Sequence, residues 1–145
     1  VIEYNVRLGD PEAQVVLPLM KTSLFELIMS VENNQLNQMN IENHNKYAVT
    51  VVLAAKGYPG NYNSGMQING LDKLKNEMIF HAGTRIVDNH YVTNGGRILN
   101  VLGIDSSLEL AISKSYDIID LIDYNEKYFR TDIGKKAVTS FKAKG

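Results

Sequence analysis

The chain has 145 residues and a formal net charge of −1, which is the length of about one ordinary domain. Hydrophobic residues make up 44% of it and charged residues 21%, and this balance excludes a globally disordered chain. The even charge gives no support for binding to nucleic acid or to an anionic membrane surface. No apolar run approaches the roughly 18–20 residues of a membrane span. The absence of cysteine excludes disulfide scaffolds, cysteine–zinc sites and thiol catalysis.

The chain begins at Val1, directly inside an alternating stretch of β-branched and aromatic residues. Residues 2–6 are therefore predicted to form a strand. No methionine, signal peptide or polar lead-in comes before this strand. Because the chain starts inside a predicted strand, we expect these 145 residues to be only a part of the protein, which we expect to be cytoplasmic.

Two helix starts follow the first predicted strand. Asp10 is a suitable N-cap and Pro11 suits the first helical position, while Pro18 should kink or weaken this helix. Ser23 and Glu26 form a capping box for a second helix that runs to about residue 31.

An Asn- and Gln-rich stretch then separates two differently composed parts of the chain. It lacks a hydrophobic period, which is typical of a surface loop or linker. We therefore expect a boundary here, with residues 1–32 belonging to one domain, 33–46 to the linker and 47–145 to a second domain.

The part beyond the linker contains several predicted strands and then helices. Strands are expected at 47–55, 78–82, 84–87, 90–93 and 97–102, and helices at 106–122 and after residue 132. Residues 88 and 89 form a plausible two-residue hairpin turn. The predicted fold class is α+β, with a mainly antiparallel sheet and flanking helices.

The polar cluster at the amino end is the most suggestive chemical feature. On a strand, Glu3, Asn5 and Arg7 point to one face. A carboxylate and an amide oxygen are hard ligands that suit Mg²⁺, and an arginine can fork onto a carboxylate or phosphate. Gly9 and Asp10 add backbone donors and a second carboxylate at a helix start. From spacing alone, an exposed strand edge beside an ordinary helix cap is the simpler interpretation.

Two further segments could contact a ligand. In the loop that contains Lys56, Gly57 and Tyr58, glycine allows close backbone approach and lysine could neutralise an anion, although a tight turn is the commoner explanation. His81 lies on a predicted strand and is more typical of a hydrogen-bonded imidazole than of a metal ligand. The three histidines do not stand at metal-ligand spacing, so we expect no zinc site. Residues 94–97 could form an anion-binding nest or only a turn.

Five ordered strings carry a resemblance to a known family. They lie at residues 1–18, 48–60, 80–84, 92–101 and 128–134. Together they closely resemble the phosphoribosylamine–glycine ligases, which are members of the ATP-grasp family. The resemblance covers nearly the whole chain except the Asn-rich linker.

The resemblance implies a fold and an activity. Residues 1–32 would be the last strand and helices of an ATP-grasp domain, and the remainder would be a separate carboxyl-terminal domain. The family joins glycine to 5-phosphoribosylamine and converts ATP to ADP and phosphate through a glycyl phosphate, in purine synthesis. The partners implied are these substrates and the rest of the same polypeptide.

The resemblance also implies roles for individual residues. Glu3 and Asn5 match the family's metal-binding pair, which implies Mg²⁺ or Mn²⁺. Arg7, Gly9 and Asp10 become candidate substrate-binding residues, and no side-chain nucleophile is expected. The family's nucleotide-binding lysines and glycine-rich loop lie upstream of these strings, so we expect the chain alone to lack ligase activity.

Analogy with the family places two loops on the wall of the site, through Lys56, Gly57, Tyr58 and His81. Two alternatives remain open at this point. One is another ATP-grasp carboxylate–amine ligase or carboxylase with different substrate loops. The other is a non-catalytic α+β binding module.

Overall fold

A computed structural model describes Ile2, Tyr4 and residues 6–142, the last two by their backbone only. Across these residues the chain forms helices and antiparallel strands, which confirms the predicted α+β class. In chain order the elements are α1 (Ala13–Leu19), α2 (Leu24–Glu32), β1 (Tyr47–Ala55), β2 (Met78–His81), β3 (Thr84–Val87), β4 (His90–Thr93), β5 (Arg97–Asp105), α3 (Leu108–Asp120), β6 (Lys127–Tyr128) and α4 (Lys135–Lys142).

The main sheet has the strand order β2-β5-β1-β6, and neighbouring strands run antiparallel. The long pair β1 and β5 extends from Tyr47 opposite Asp105 to Ala54 opposite Arg97, with a register shift between Leu53 and Ala54. This register places the start of β5 beside the end of β1. Two loops with the family strings therefore leave the sheet at the same corner.

One face of the main sheet packs against α3 and forms the core. Alternate residues of β1 and β5 point to this face, as the strand period requires. The buried side chains include Val49, Val51, Leu53, Leu99, Val101, Ile118, Ile119 and Ile122. Burial of these apolar side chains stabilises the second half of the chain.

The opposite face of the sheet carries the amino-terminal part of the chain. Helix α1 packs beside β1 and β5. The segment predicted as a linker returns along this helix, because Met20 bridges to Asn43 and the His44 N–H donates to the Leu19 carbonyl at 2.7 Å. A short 3-10 turn at Leu36–Gln38 interrupts it.

The predicted first strand is not found where the structure describes it. Ile2, Tyr4 and Val6 lie outside strands, and they are 102%, 84% and 94% exposed. A strand becomes stable only when its backbone groups pair with a neighbour. No described segment supplies that neighbour to these three residues.

The first helix also begins later than predicted. It starts at Ala13, and its N-cap is Glu12 rather than Asp10. The Asp10 carboxylate binds Arg97 and Gln14 instead. A tertiary partner has therefore replaced the local cap that the sequence pattern predicted.

Other local signals give mixed results. The Ser23 cap of α2 is confirmed, since its side chain accepts from the Glu26 N–H. Helix α3, predicted from residue 106, begins at Leu108 with Ser107 as its N-cap. The hydroxyl and N–H of Ser106 both donate to the Asp105 carboxylate instead. Strand β5 continues to Asp105, three positions beyond its predicted end at residue 102. Among the described residues, no helix is both long and apolar enough to span a membrane.

Candidate functional site

An ion pair between Arg97 and Asp10 joins the two parts of the chain. The Arg97 Nη2 atom lies 2.8 Å from Asp10 Oδ2, and its Nη1 donates to the main-chain carbonyl of Asp10 at 3.0 Å. The other carboxylate oxygen accepts a hydrogen bond from Gln14 Nε2 at 2.9 Å. Both oxygens of Asp10 are thus held by side chains.

The loop at residues 56–60 packs against the turn that precedes Arg97. A Cβ atom added at Gly96 would lie only 2.1 Å from Cδ2 of Tyr58, so the aromatic ring lies directly on the glycine. The Ala55 N–H donates to the Gly96 carbonyl at 2.8 Å. A side chain at residue 96 would therefore displace the Tyr58 ring, so this packing favours glycine.

The short connection at residues 82–83, between β2 and β3, supports the same turn from its other side. The Gly83 N–H donates to the Arg97 carbonyl at 2.8 Å, and the Asn94 N–H donates to the Gly83 carbonyl at 2.7 Å. A Cβ atom on Gly83 would lie 2.8 Å from the Cα of Gly95. The backbone around Arg97 is thus fixed by paired glycines and main-chain hydrogen bonds.

His81, the last residue of β2, contacts two nearby side chains. Its Nδ1 lies 2.8 Å from the Thr84 hydroxyl, and its ring lies 4.6 Å from the ring of Tyr91, centroid to centroid. Desolvation lowers the pKa of His81 below its usual value, so the imidazole is neutral near pH 7.

Within the described part of the chain, no group of three His, Asp or Glu residues could hold a metal ion.

An apolar cavity of about 300 Å³ opens beside the ion pair. Its lining combines residues of four of the family strings, among them Pro11, Tyr58, Arg97, Phe129, Arg130 and Ile133. Arg130 forks onto Asp132 at 2.9 and 2.7 Å and holds the pKa of that carboxyl below its usual range. Strings far apart in sequence therefore meet on one surface.

The structure unites some of the predicted site residues and separates others. Asp10 binds Arg97, and Tyr58 packs on the glycine before it. Gly9 directly precedes Asp10, and His81 ends the strand that leads into the Gly83 turn beside Arg97. Lys56 does not line the cavity beside the ion pair. It lines a different, open depression together with residues 123–128.

The remaining predicted site residues precede Gly9 in the sequence. Arg7 is exposed, and its Nη1 donates to the Leu8 carbonyl at 3.5 Å. Glu3 and Asn5, the predicted metal ligands, lie outside the described residues.

Sequence reasoning did not identify Arg97 as a site residue. The Asn-Gly-Gly turn before it suggested a backbone nest, and its ion-pair partner stands 87 positions away. The signal that could have found it was its position within the family string at 92–101.

Residues 48–136 match the family model described as phosphoribosylglycinamide synthetase, C domain. The bifunctional purine biosynthetic protein purD of Dictyostelium discoideum is 46% identical over 148 residues, covering 99% of this chain and 18% of that protein. The phosphoribosylamine–glycine ligase of Synechocystis sp. is 43% identical over 141 residues, covering 95% of this chain and 34% of that protein.

A crystal structure of phosphoribosylamine–glycine ligase from Thermotoga maritima superposes with a TM-score of 0.73 at 34% identity. The match covers 91% of this chain and 32% of that one. The chain thus spans between about a fifth and a third of the length of these relatives. The family strings, the α+β fold and the family match agree, and the chain belongs to the phosphoribosylglycinamide synthetase C-domain family.

Proposed function

We propose that this chain works as the carboxyl-terminal portion of an ATP-dependent ligase that joins glycine to 5-phosphoribosylamine in purine biosynthesis. The observation that carries the proposal is the convergence of the family strings around the ion pair of Arg97 and Asp10. The names of the relatives, which are phosphoribosylamine–glycine ligases and purine biosynthetic proteins, support the same function.

In this proposal, residues 1–32 complete an ATP-grasp domain, residues 33–46 connect it, and residues 47–145 form the second domain. Helix α2 supports this division, because it exposes an apolar stripe. The exposed fractions are 44% for Leu24, 70% for Phe25, 57% for Ile28, 41% for Met29 and 57% for Val31. A contiguous exposed apolar surface of this kind marks an interaction site, and the remainder of the ligase is its proposed partner.

The proposed glycine site lies at the loop before α1. Each oxygen of the Asp10 carboxylate accepts one described hydrogen bond, and each can accept two. Asp10 can therefore also accept a hydrogen bond from the glycine ammonium, while the N–H of the neighbouring Gly9 is already bound to Glu12 Oε2 at 3.0 Å. The exposed guanidinium of Arg7 is suited to the glycine carboxylate or to a substrate phosphate.

Glu3 and Asn5 are the residues proposed to hold Mg²⁺ or Mn²⁺. Their carboxylate and amide oxygens are the hard donors that these ions prefer, with the other positions left to water and phosphate oxygens. When bound, the ion neutralises phosphate charge during phosphoryl transfer.

The proposed chemistry transfers the γ-phosphoryl group of ATP to the glycine carboxylate, which gives glycyl phosphate and ADP. The amine nitrogen of 5-phosphoribosylamine then attacks the glycyl carbonyl, the bond to the phosphate oxygen breaks, and inorganic phosphate and a proton are released. This reaction needs reactants held close together and water kept away, and it needs no side-chain nucleophile. The contribution of this chain is therefore to orient glycine and to close one wall of the site.

A chimera tests the proposal. The matching segment of the Synechocystis ligase is replaced by this chain, and ADP formation is measured with and without each substrate. We expect ADP formation that requires both glycine and 5-phosphoribosylamine, and none from the 145-residue chain alone. Circular dichroism and thermal unfolding confirm that the chimera is folded.

Three results would count against the proposal. A folded chimera without turnover would favour a non-catalytic module, and turnover with a different carboxylate but not glycine would favour another ATP-grasp ligase. Turnover by the isolated chain would contradict the proposed need for the remaining domains.

A further inference from the structure

The contact that Arg97 makes with Asp10 has the geometry of a clamp. Its two terminal nitrogens bind different groups of the same residue, namely one carboxylate oxygen and the main-chain carbonyl. Together these two bonds restrict both the backbone position of Asp10 and the rotation of its side chain. A lysine carries the same charge on a single nitrogen and lacks this planar fork.

The clamp is fixed at its own end. Arg97 is the first residue of β5, and its carbonyl is held by the Gly83 N–H at 2.8 Å. The ring of Tyr58 packs on Gly96 in the turn just before Arg97. Arg97 therefore extends from a rigid sheet toward a loop.

The loop before α1 holds Gly9 by local bonds, because the Gly9 N–H donates to Glu12 Oε2 at 3.0 Å and the Gly9 carbonyl accepts from the Ala13 N–H at 2.9 Å. Neither bond reaches the Asp10 carboxylate, and Glu12, the N-cap residue of α1, makes no side-chain capping bond. The other restraint on the Asp10 carboxylate is Gln14 Nε2, from the same short helix. Without Arg97, nothing described from the sheet would fix this carboxylate.

Stability alone does not account for the pair. The side chains of Arg97 and Asp10 are 38% and 45% exposed. Exposed ion pairs contribute little to stability because water and salt screen them. The larger consequence of a two-point contact at this exposure is orientation.

We propose that Arg97 is a positioning residue that orients the Asp10 carboxylate toward the ammonium group of glycine. The inference rests on the proposed ligase function. Arg97 itself does not contact glycine in this account, so all of its effect passes through Asp10. Its loss should raise the KM for glycine more than it lowers kcat.

The test is a double-mutant cycle in the chimera, with Arg97→Met, Asp10→Asn and both together. We expect Arg97→Met to raise the glycine KM by about tenfold or more, in keeping with the cost of misplacing a binding group. The double variant should match Asp10→Asn alone, since the clamp then has no carboxylate to orient. Arg97→Lys should recover only part of the loss.

An unchanged KM in Arg97→Met, additive effects in the double variant, or full recovery by Arg97→Lys would each overturn the inference. The matched control is Lys114→Met, which breaks another exposed ion pair between distant residues, with Glu77 at 3.6 Å. It should leave the glycine KM unchanged.

A measurement on the isolated chain separates this inference from the proposed function. The Ala13 N–H donates to the Gly9 carbonyl at 2.9 Å, directly behind the clamped residue. The Ala13 N–H should exchange its hydrogen faster in Arg97→Met than in Lys114→Met. Equal exchange would overturn the clamp even in an active chimera, whereas faster exchange beside an inactive chimera would leave the clamp standing and count against the ligase.

Discussion

Gly103 on β5 packs closely against Ser115 on α3, where the helix crosses the sheet. The Ser115 hydroxyl is fully buried and lies 2.8 Å from the Val49 carbonyl and 3.0 Å from the Ala111 carbonyl. This contact sets how closely α3 approaches the strand that begins at Arg97. The packing of the core and the position of the candidate site are therefore connected through β5.

Gly103→Ala should destabilise the fold. The added Cβ would lie 2.2 Å from the Ala111 carbonyl oxygen and 2.7 Å from the Ser115 N–H nitrogen, and backbone atoms cannot move aside cheaply. Overpacking of this kind costs about 1–3 kcal/mol in the free energy of unfolding, which urea denaturation measures. Gly60→Ala is the control, because its added Cβ meets only the Gly57 carbonyl at 3.2 Å. Equal stability of the two variants would contradict the tight contact.

Tyr124 should make stability fall at alkaline pH. Its hydroxyl donates to the Ala54 carbonyl at 2.9 Å, and burial raises the pKa of Tyr124 well above its ordinary value near 10. The unfolded chain then loses this proton before the folded chain does. The contribution of Tyr124 to stability is fully present below about pH 10 and is lost as the pH rises toward the folded pKa.

Comparison with Tyr124→Phe isolates this effect. The variant should lose about 0.5–1.5 kcal/mol near pH 9 through the missing hydrogen bond. Near pH 11 the difference in the free energy of unfolding between the parent and the variant should shift by about 1.4 kcal/mol in favour of the variant. The reason is that only the parent has this phenol to ionise on unfolding. A constant difference between the two pH values would mean that Tyr124 titrates normally in the folded chain.

Substitution in the α2 stripe should destabilise the chimera but hardly affect the isolated chain. Phe25→Ser and Ile28→Lys alter side chains that are 70% and 57% exposed, so the isolated chain should change by no more than about 0.5 kcal/mol in urea unfolding. In the chimera the same substitutions should lower the unfolding temperature clearly, because the stripe is proposed to be buried there. Similar small effects in both contexts would argue against docking of α2 on the rest of the ligase.

Glu3→Gln and Asn5→Ala should raise the Mg²⁺ concentration that the chimera needs for half-maximal turnover. Each change removes or weakens one proposed hard oxygen ligand without touching the described core. Asp120→Asn, an isosteric neutralisation on the exposed surface of α3, is the control and should leave the metal dependence unchanged. If all three variants respond to Mg²⁺ as the parent does, the metal assignment is wrong.

Local signals in the sequence predicted much of the second half of the fold. The bounds of β1 followed from a run of β-branched residues, and the β3–β4 hairpin followed from Asp88 and Asn89, whose φ angles are 46° and 62°. Strand β5 extends further than predicted because its end pairs with the start of β1, around Tyr47. Tyr47 lies 58 positions before its partner Asp105, so this pairing gives no signal in the local sequence.

The candidate site was predictable only where one segment carried the signal. The Gly9 and Asp10 string was identified from the sequence, but Asp10 was assigned as a helix cap because its distant partner was not visible. Arg97 and Asp10 come together through the register of β5 against β1 and the packing of α1 on the sheet. Contacts of this kind depend on tertiary structure and override local capping preference.

The most direct test is a crystal structure of the chimera with glycine, Mg²⁺ and a non-hydrolysable ATP analogue. The account predicts the glycine ammonium within about 2.7–3.2 Å of an Asp10 carboxylate oxygen, with both Arg97 bonds to Asp10 retained. Glycine bound away from the loop before α1, or an Arg97 side chain that leaves Asp10 to bind the glycine itself, would contradict it.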